Sequence, residues 1–210
     1  MNARDEFRAT LGQALEALGL QASADKLATL ADHFDQVLRA NARFNLTRIT
    51  DPVEAAVRLY ADSAAAIVWA AREKVPVEGV LDVGTGAGFP AVPLAVLRPD
   101  WQVTALEATG KKATFVERTA RSLGIENLHV VHAHSDHWPS ATRFDVVTFK
   151  AIGRLEACLK TACRFVAPGG HVVVYKTAAL PPDEVSAGVR AATTLGFAVS
   201  TAFEYELPMP

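Results

Sequence analysis

The segment Val80-Leu81-Asp82-Val83-Gly84-Thr85-Gly86-Ala87-Gly88-Phe89-Pro90 restricts this 210-residue chain more tightly than any other. An apolar run holds an aspartate, three glycines follow at alternate positions, and a second apolar run closes on Glu107. A strand, a glycine turn, a helix and a strand ending in an acid make a nucleoside pocket. Glycines let the backbone approach a ligand where a Cβ would clash. A carboxylate at the end of the second strand can accept hydrogen bonds from two ribose hydroxyls.

The remainder of the chain agrees with that unit. Strands are expected at Val77–Val83, Gln102–Glu107, Leu128–Ala133, Phe144–Phe149, Gly170–Lys176 and Phe197–Glu206. Helices are expected between them, near Phe89–Leu97, Lys111–Leu123, Leu155–Val166 and Asp183–Leu195. Such alternation predicts an α/β, Rossmann-like fold, its mostly parallel sheet covered by helices on both faces. Residues 76–210 form this core, and residues 1–75 read as a helical region before it. Phe7, Leu11, Leu15 and Leu18 share one helical face, and Gly19 ends that helix. Ser23 can cap a second helix with the stripe Leu27, Leu30, Phe34, Val37 and Leu38. Asp51-Pro52-Val53-Glu54 opens a third, expected to run to about Arg72.

Composition removes several classes. Apolar residues make up 50% of the chain, which excludes a disordered protein. No apolar run reaches membrane-spanning length, and Asp5 and Glu6 spoil a signal-peptide start, so a cytoplasmic protein is expected. Cys158 and Cys163 are too few for a disulfide scaffold and read as core thiols on one helix. The net charge of −2 argues against a generic nucleic-acid binder. Gly110 to Lys176, however, carries 10 Lys or Arg against 5 Asp or Glu. A basic half around the pocket could hold a phosphate backbone; ordinary solvated helix surface explains the charge equally well.

The glycine spacing separates ligand classes. Dinucleotide sites use G-x-G-x-x-G. Here the pattern is G-x-G-x-G, with Phe89 where the last dinucleotide glycine would stand. It resembles motif I of the S-adenosylmethionine-dependent methyltransferases; a tight turn or a nicotinamide site are the alternatives. Methyltransferase sheets usually end in an antiparallel hairpin, and here the chain stops at Pro208-Met209-Pro210 after its first strand. Either the last strand is missing or the fold ends early. The fourth strand, Phe144-Asp145-Val146-Val147-Thr148-Phe149-Lys150, carries neither an Asp/Asn-Pro-Pro-aromatic motif nor a nucleophilic cysteine.

A narrower resemblance follows. Asn45-Leu46-Thr47, Asp62-Ser63, the glycine segment with Pro90, and Glu107-Ala108-Thr109-Gly110-Lys111-Lys112 together resemble the glucose-inhibited division protein B family. The likeness runs from about Asn41 to Lys176. It implies a bacterial enzyme that uses S-adenosylmethionine to methylate guanine N7 in small-subunit (16S) ribosomal RNA. The alternatives are a small-molecule or protein methyltransferase, or a cofactor-binding RNA-binding protein without turnover. The resemblance puts cofactor contacts on Gly84, Phe89, Glu107, Ala108, Thr109, Ser135 and Asp136, and the glycine turn itself adds Gly86 and Gly88. By position, Lys111, Lys112 and His134 are expected to contact RNA, with a solvated first helical turn as the alternative for the two lysines, and Lys150 is expected at the reaction centre, holding the methionine carboxylate or the RNA. The implied partner is ribosomal RNA, in the form of naked RNA or of the small subunit, and the protein is expected to be a monomer that binds no membrane.

The chain departs from the family at four places. Lys111-Lys112 replaces a lysine-arginine pair, and His134 replaces an arginine after the third strand. Phe149-Lys150-Ala151 replaces a Ser-Arg-Ala, and Tyr60 replaces a histidine before Asp62-Ser63. Lysine keeps charge but loses the bidentate fork of arginine. Arg39, Arg43, Arg48 and Arg58 lie on or near the N-terminal helices, which could form a substrate lid. His132-Ala133-His134-Ser135-Asp136-His137 also fits the H-x-H-x-D-H spacing of di-zinc hydrolases. The only later histidine, His171, begins an apolar strand, so no metal is expected.

Overall fold

The computed structural model describes residues 2–139, 141–177, 179–200 and 202–208. The N-terminal region forms helices where capping and apolar spacing coincide. In α1 (Ala3–Ala17) the Asn2 side chain accepts from the Asp5 amide at 2.9 Å, and Phe7, Leu11, Ala14 and Leu15 are buried. In α2 (Ala24–Asn41) Ser23 Oγ accepts from the Lys26 amide at 3.3 Å, as its position suggested. Asp51 caps α3 (Pro52–Ala55) through the Glu54 amide at 2.8 Å.

The expected single helix to Arg72 is interrupted. After α3 the chain widens into a π-helical segment, Ala56–Ala61, and resumes as α4 (Ala65–Arg72). At the break the Ser63 hydroxyl donates to the Leu59 carbonyl at 2.5 Å, a back-bond that competes with the helical ladder. The widened turn places Tyr60 in the core and Asp62 toward the sheet.

Five strands follow: β1 (Gly79–Val83), β2 (Gln102–Glu107), β3 (Leu128–His132), β4 (Phe144–Lys150) and β5 (Val166–Tyr175). They are hydrogen-bonded in the order β3-β2-β1-β4-β5, every pair parallel. Between them lie α5 (Ala91–Leu97), α6 (Gly110–Ser122) and α7 (Leu155–Ala162), and α8 (Pro182–Leu195) follows β5. Alternate strand residues face opposite ways. Val80, Val103 and Val146 join the larger core with α1, α2, α5 and α6. Leu81, Leu106, Val147 and Phe149 meet Cys158, Ala162 and Phe165 on the other face.

Three expectations need correction. α7 stops at Ala162, because Val166 already pairs with Phe144 as the first residue of β5. The Pro168-Gly169-Gly170 segment is an irregularity inside β5 rather than a turn before it. A Cβ at Gly170 would lie 2.9 Å from the Asp145 carbonyl oxygen, which explains the glycine there. Phe197–Glu206 carries no strand among its described residues; residue 201 lies outside them. The tail's side chains find partners on the N-terminal helices instead. Arg72 lies 5.7 Å over the Phe203 ring, and Tyr205 Oη donates to Asp62 at 2.5 Å.

Candidate active site

β1 and β2 end side by side, and the turn after β1 folds over the end of β2. The Gly84 amide donates to the Leu106 carbonyl at 2.7 Å. Gly84, Gly86 and Gly88 have φ values of 75°, 61° and 100°, a region that disfavours any side chain. Beside Gly86 an added Cβ would meet nothing closer than the Gly84 carbonyl, at 4.0 Å. Glu107 is only 6% exposed. Its two oxygens accept from the Gly86 amide at 2.9 Å and the Thr109 amide at 2.8 Å. Each oxygen keeps a lone pair for a further donor. The open space at Gly86 beside an oriented carboxylate fits the ribose end of a nucleoside.

Asp82 lies beneath the turn, fully buried. It accepts from the Ala91 amide at 3.2 Å and from Thr148 Oγ1 at 3.3 Å. Burial raises its pKa from 3.8 to about 6, against the opposing pull of these donors and of Lys150.

Lys150 ends β4 at the same edge of the sheet, one strand from Asp82. Its ammonium meets Asp62 at 2.9 Å, with side-chain exposures of 11% and 19%, and donates to the Arg58 carbonyl at 3.2 Å. The next residue, Ala151, has φ 57°. That turn lays Ile152 over Gly84, with Cδ1 at 2.9 Å from where a Cβ would stand. Gly153 O in turn accepts from Lys176 Nζ at 2.8 Å, and Lys176 pairs with Glu184 at 2.7 Å.

The other expected site residues divide. Ala108 and Thr109 are exposed after β2, and Lys111 and Lys112 stand in the first turn of α6. Glu107 and His132 are register partners, so the segment holding His134, Ser135 and Asp136 begins beside Glu107. Asp136 is exposed and lies 3.7 Å from Arg164 and 3.5 Å from His134. The Phe89 ring faces the core, edge-on to Tyr60 with centroids 4.9 Å apart. Cys158 is buried, but Cys163 is exposed at the end of α7, which corrects the expectation of two core thiols. Among the described residues no three His, Cys, Asp or Glu side chains converge as metal ligands.

Sequence reasoning missed His33. It is fully buried on α2 and touches the glycine turn, with Nε2 at 3.0 Å from the Ala87 carbonyl oxygen and Nδ1 at 2.8 Å from Tyr60 Oη. Its one signal was a histidine within an apolar helical stripe.

Comparison with known proteins agrees with this architecture. The fold is similar to a ribosomal protein L11 methylase from Lactobacillus delbrueckii subsp. bulgaricus, with a TM-score of 0.54 at 17% identity, covering 71% of this chain and 74% of that one. It is similar also to a precorrin-6y C5,15-methyltransferase from Geobacter metallireducens, with a TM-score of 0.50 at 19% identity, covering 76% and 78%. In sequence it is 37% identical to a ribosomal RNA small subunit methyltransferase G from Solibacter usitatus, over 71% of this chain and 70% of that protein. It is 36% identical to one from Bordetella avium, over 83% and 78%. The model of one family, GidB, described as rRNA small subunit methyltransferase G, matches residues 26–206. By that match the chain belongs to the GidB, or rRNA small subunit methyltransferase G, family.

Proposed function

We propose that the protein methylates N7 of a guanine in small-subunit (16S) ribosomal RNA, using S-adenosylmethionine. Family membership carries this reading. Bound S-adenosylmethionine supplies an electrophilic methyl group on a sulfonium. Guanine N7 has a lone pair and no proton, so its attack on that methyl would break the S–C bond, leave the positive charge on the purine and need no base. The protein's contribution is then proximity and orientation.

In this reading Glu107 accepts from the ribose hydroxyls, with the glycine turn, Ala108 and Thr109 around it. The Phe89 ring lies in the core, so its contact runs through the backbone. Ser135 and Asp136 flank the base. Lys150 holds either the methionine carboxylate or the RNA with the N–H that Asp62 and Arg58 leave over. Lys111, Lys112 and His134 grip phosphates. The protein acts as a monomer in the cytoplasm, where its substrate is made, and no described helix is long and apolar enough to cross a membrane.

Mass mapping of 16S ribosomal RNA from cells with and without the gene tests the reading. One guanine should lose 14 mass units, the mass of a methylene, when the gene is absent. An unchanged map would favour a protein or small-molecule substrate.

A further inference from the structure

The turn that holds Gly86 and Gly88 is gripped from two sides. Glu107 takes the Gly86 amide from the sheet side at 2.9 Å. From the helical side, His33 Nε2 meets the next residue's carbonyl, Ala87 O, at 3.0 Å. A carbonyl oxygen only accepts, so Nε2 carries the proton. In the neutral imidazole Nδ1 then has the lone pair, and the Tyr60 hydroxyl must donate to it across 2.8 Å. The chain Tyr60 to His33 to Ala87 therefore has one direction and no spare role. The fit around it is close. A Cβ on Gly88 would lie 3.3 Å from His33 Nε2 and 2.7 Å from Val92 Cγ2. The surroundings are otherwise aromatic: Phe7 packs edge-on to Tyr60 at 4.8 Å and Phe89 tilts against His33 at 5.4 Å.

An imidazole in such a place loses hydration that a phenylalanine would not need. What it adds is a fixed carbonyl in the middle of the turn. We propose that His33 and Tyr60 are positioning residues for the methyl donor, acting through the Ala87 carbonyl on the course of the glycine turn. They touch neither substrate nor cofactor. The inference rests on the reading that the glycine turn and Glu107 bind S-adenosylmethionine. Tyr60, which stands where the resemblance expects a histidine, is not an isolated loss, because its hydroxyl meets an imidazole supplied by α2.

The test is calorimetric titration of S-adenosylmethionine into the full chain, with thermal midpoints measured alongside. Tyr60→Phe should raise the Kd about fivefold, and His33→Phe about tenfold. The His33→Phe/Tyr60→Phe double variant should match His33→Phe within about twofold, because Tyr60 acts only through His33. His33→Gln can still donate to Ala87 O and accept from Tyr60, and should stay within about threefold of the parent. Single-turnover transfer at sub-saturating cofactor should fall in Tyr60→Phe by about the same fivefold. Parental Kd values in every variant, with only the thermal midpoints lowered, would make the pair a packing device and overturn the proposal. If His33→Phe does not fold, Tyr60→Phe decides alone, since it removes one oxygen and adds no volume. Glu107→Gln separates the two readings: it should raise the Kd roughly tenfold or more. An unchanged Kd there would move the cofactor elsewhere, whatever the His33 variants show.

Discussion

Two buried ionisable side chains flank the glycine turn and titrate in opposite senses. Burial lowers the His33 pKa from 6.5 to about 4, with the Ala87 hydrogen bond opposing. As pH falls below 6.5 the unfolded chain takes a proton that the native state refuses. The stability from this group is complete above pH 6.5 and is lost as pH falls towards 4. Asp82 is shifted up to about 6, so its native state prefers the proton. Its contribution is complete below pH 3.8 and is lost as pH rises through 6. Each amounts to roughly 3 kcal/mol, and between pH 4 and 6 they offset. Urea melts at pH 4.5, 5.5 and 6.5 should therefore diverge between two variants. Relative to the parent, His33→Gln should lose stability as pH rises and Asp82→Asn should gain it. Parallel profiles would contradict this account. At this scale the sequence was legible where chemistry depends on local spacing, as with Gly86 and Glu107. It was silent on His33, whose partners lie 27 and 54 residues away and whose position looks like any other in an apolar stripe.

The end of β4 joins three elements through one side chain. Lys150 reaches Asp62 between the π-helical segment and α4, and Asp62 also takes the hydroxyl of Tyr205 from the tail. The pair is mostly buried, so removing one partner leaves a charge without compensation. Lys150→Met should cost about 3 kcal/mol in chemical denaturation, and adding Asp62→Asn should recover most of it. Equal losses in the single and double variants would mean that the cost does not come from the unpaired Asp62 charge. The methyl-transfer role proposed for Lys150 is then measured in the double variant, free of the folding defect. The five parallel strands were legible because each apolar run is bounded by turn residues or helices. The end of α7 was not, because Phe165 and Val166 continue its apolar pattern while belonging to the turn and to β5. Nor was the tail, where alternating aromatics suggest a strand. Arg72 and Asp62, more than a hundred residues earlier in the sequence, decide otherwise.

Across the whole molecule, charge is uneven although the net value is only −2. Lys111 and Lys112 open α6 next to the Glu107 cradle, while Arg39 and Arg43 are exposed near the end of α2. If this face meets ribosomal RNA through phosphates, Lys111→Ala/Lys112→Ala should weaken RNA binding and flatten its salt dependence by up to about 2 in log–log slope. Filter binding over a salt series measures it, and a parental slope would assign both lysines to solvated surface. Cofactor affinity should be unaffected. The helices that carry Arg39 and Arg43 are not a detachable cover, because Phe7, Phe34, Tyr60 and Phe89 sit in one core with Val80 and Val103. That shared core has a thermodynamic consequence. If RNA shifts the helical region on binding, it also shifts the bed on which the glycine turn rests, and RNA and methyl donor are then not independent guests. Whatever factor RNA adds to the affinity for the donor, the donor must add to the affinity for RNA.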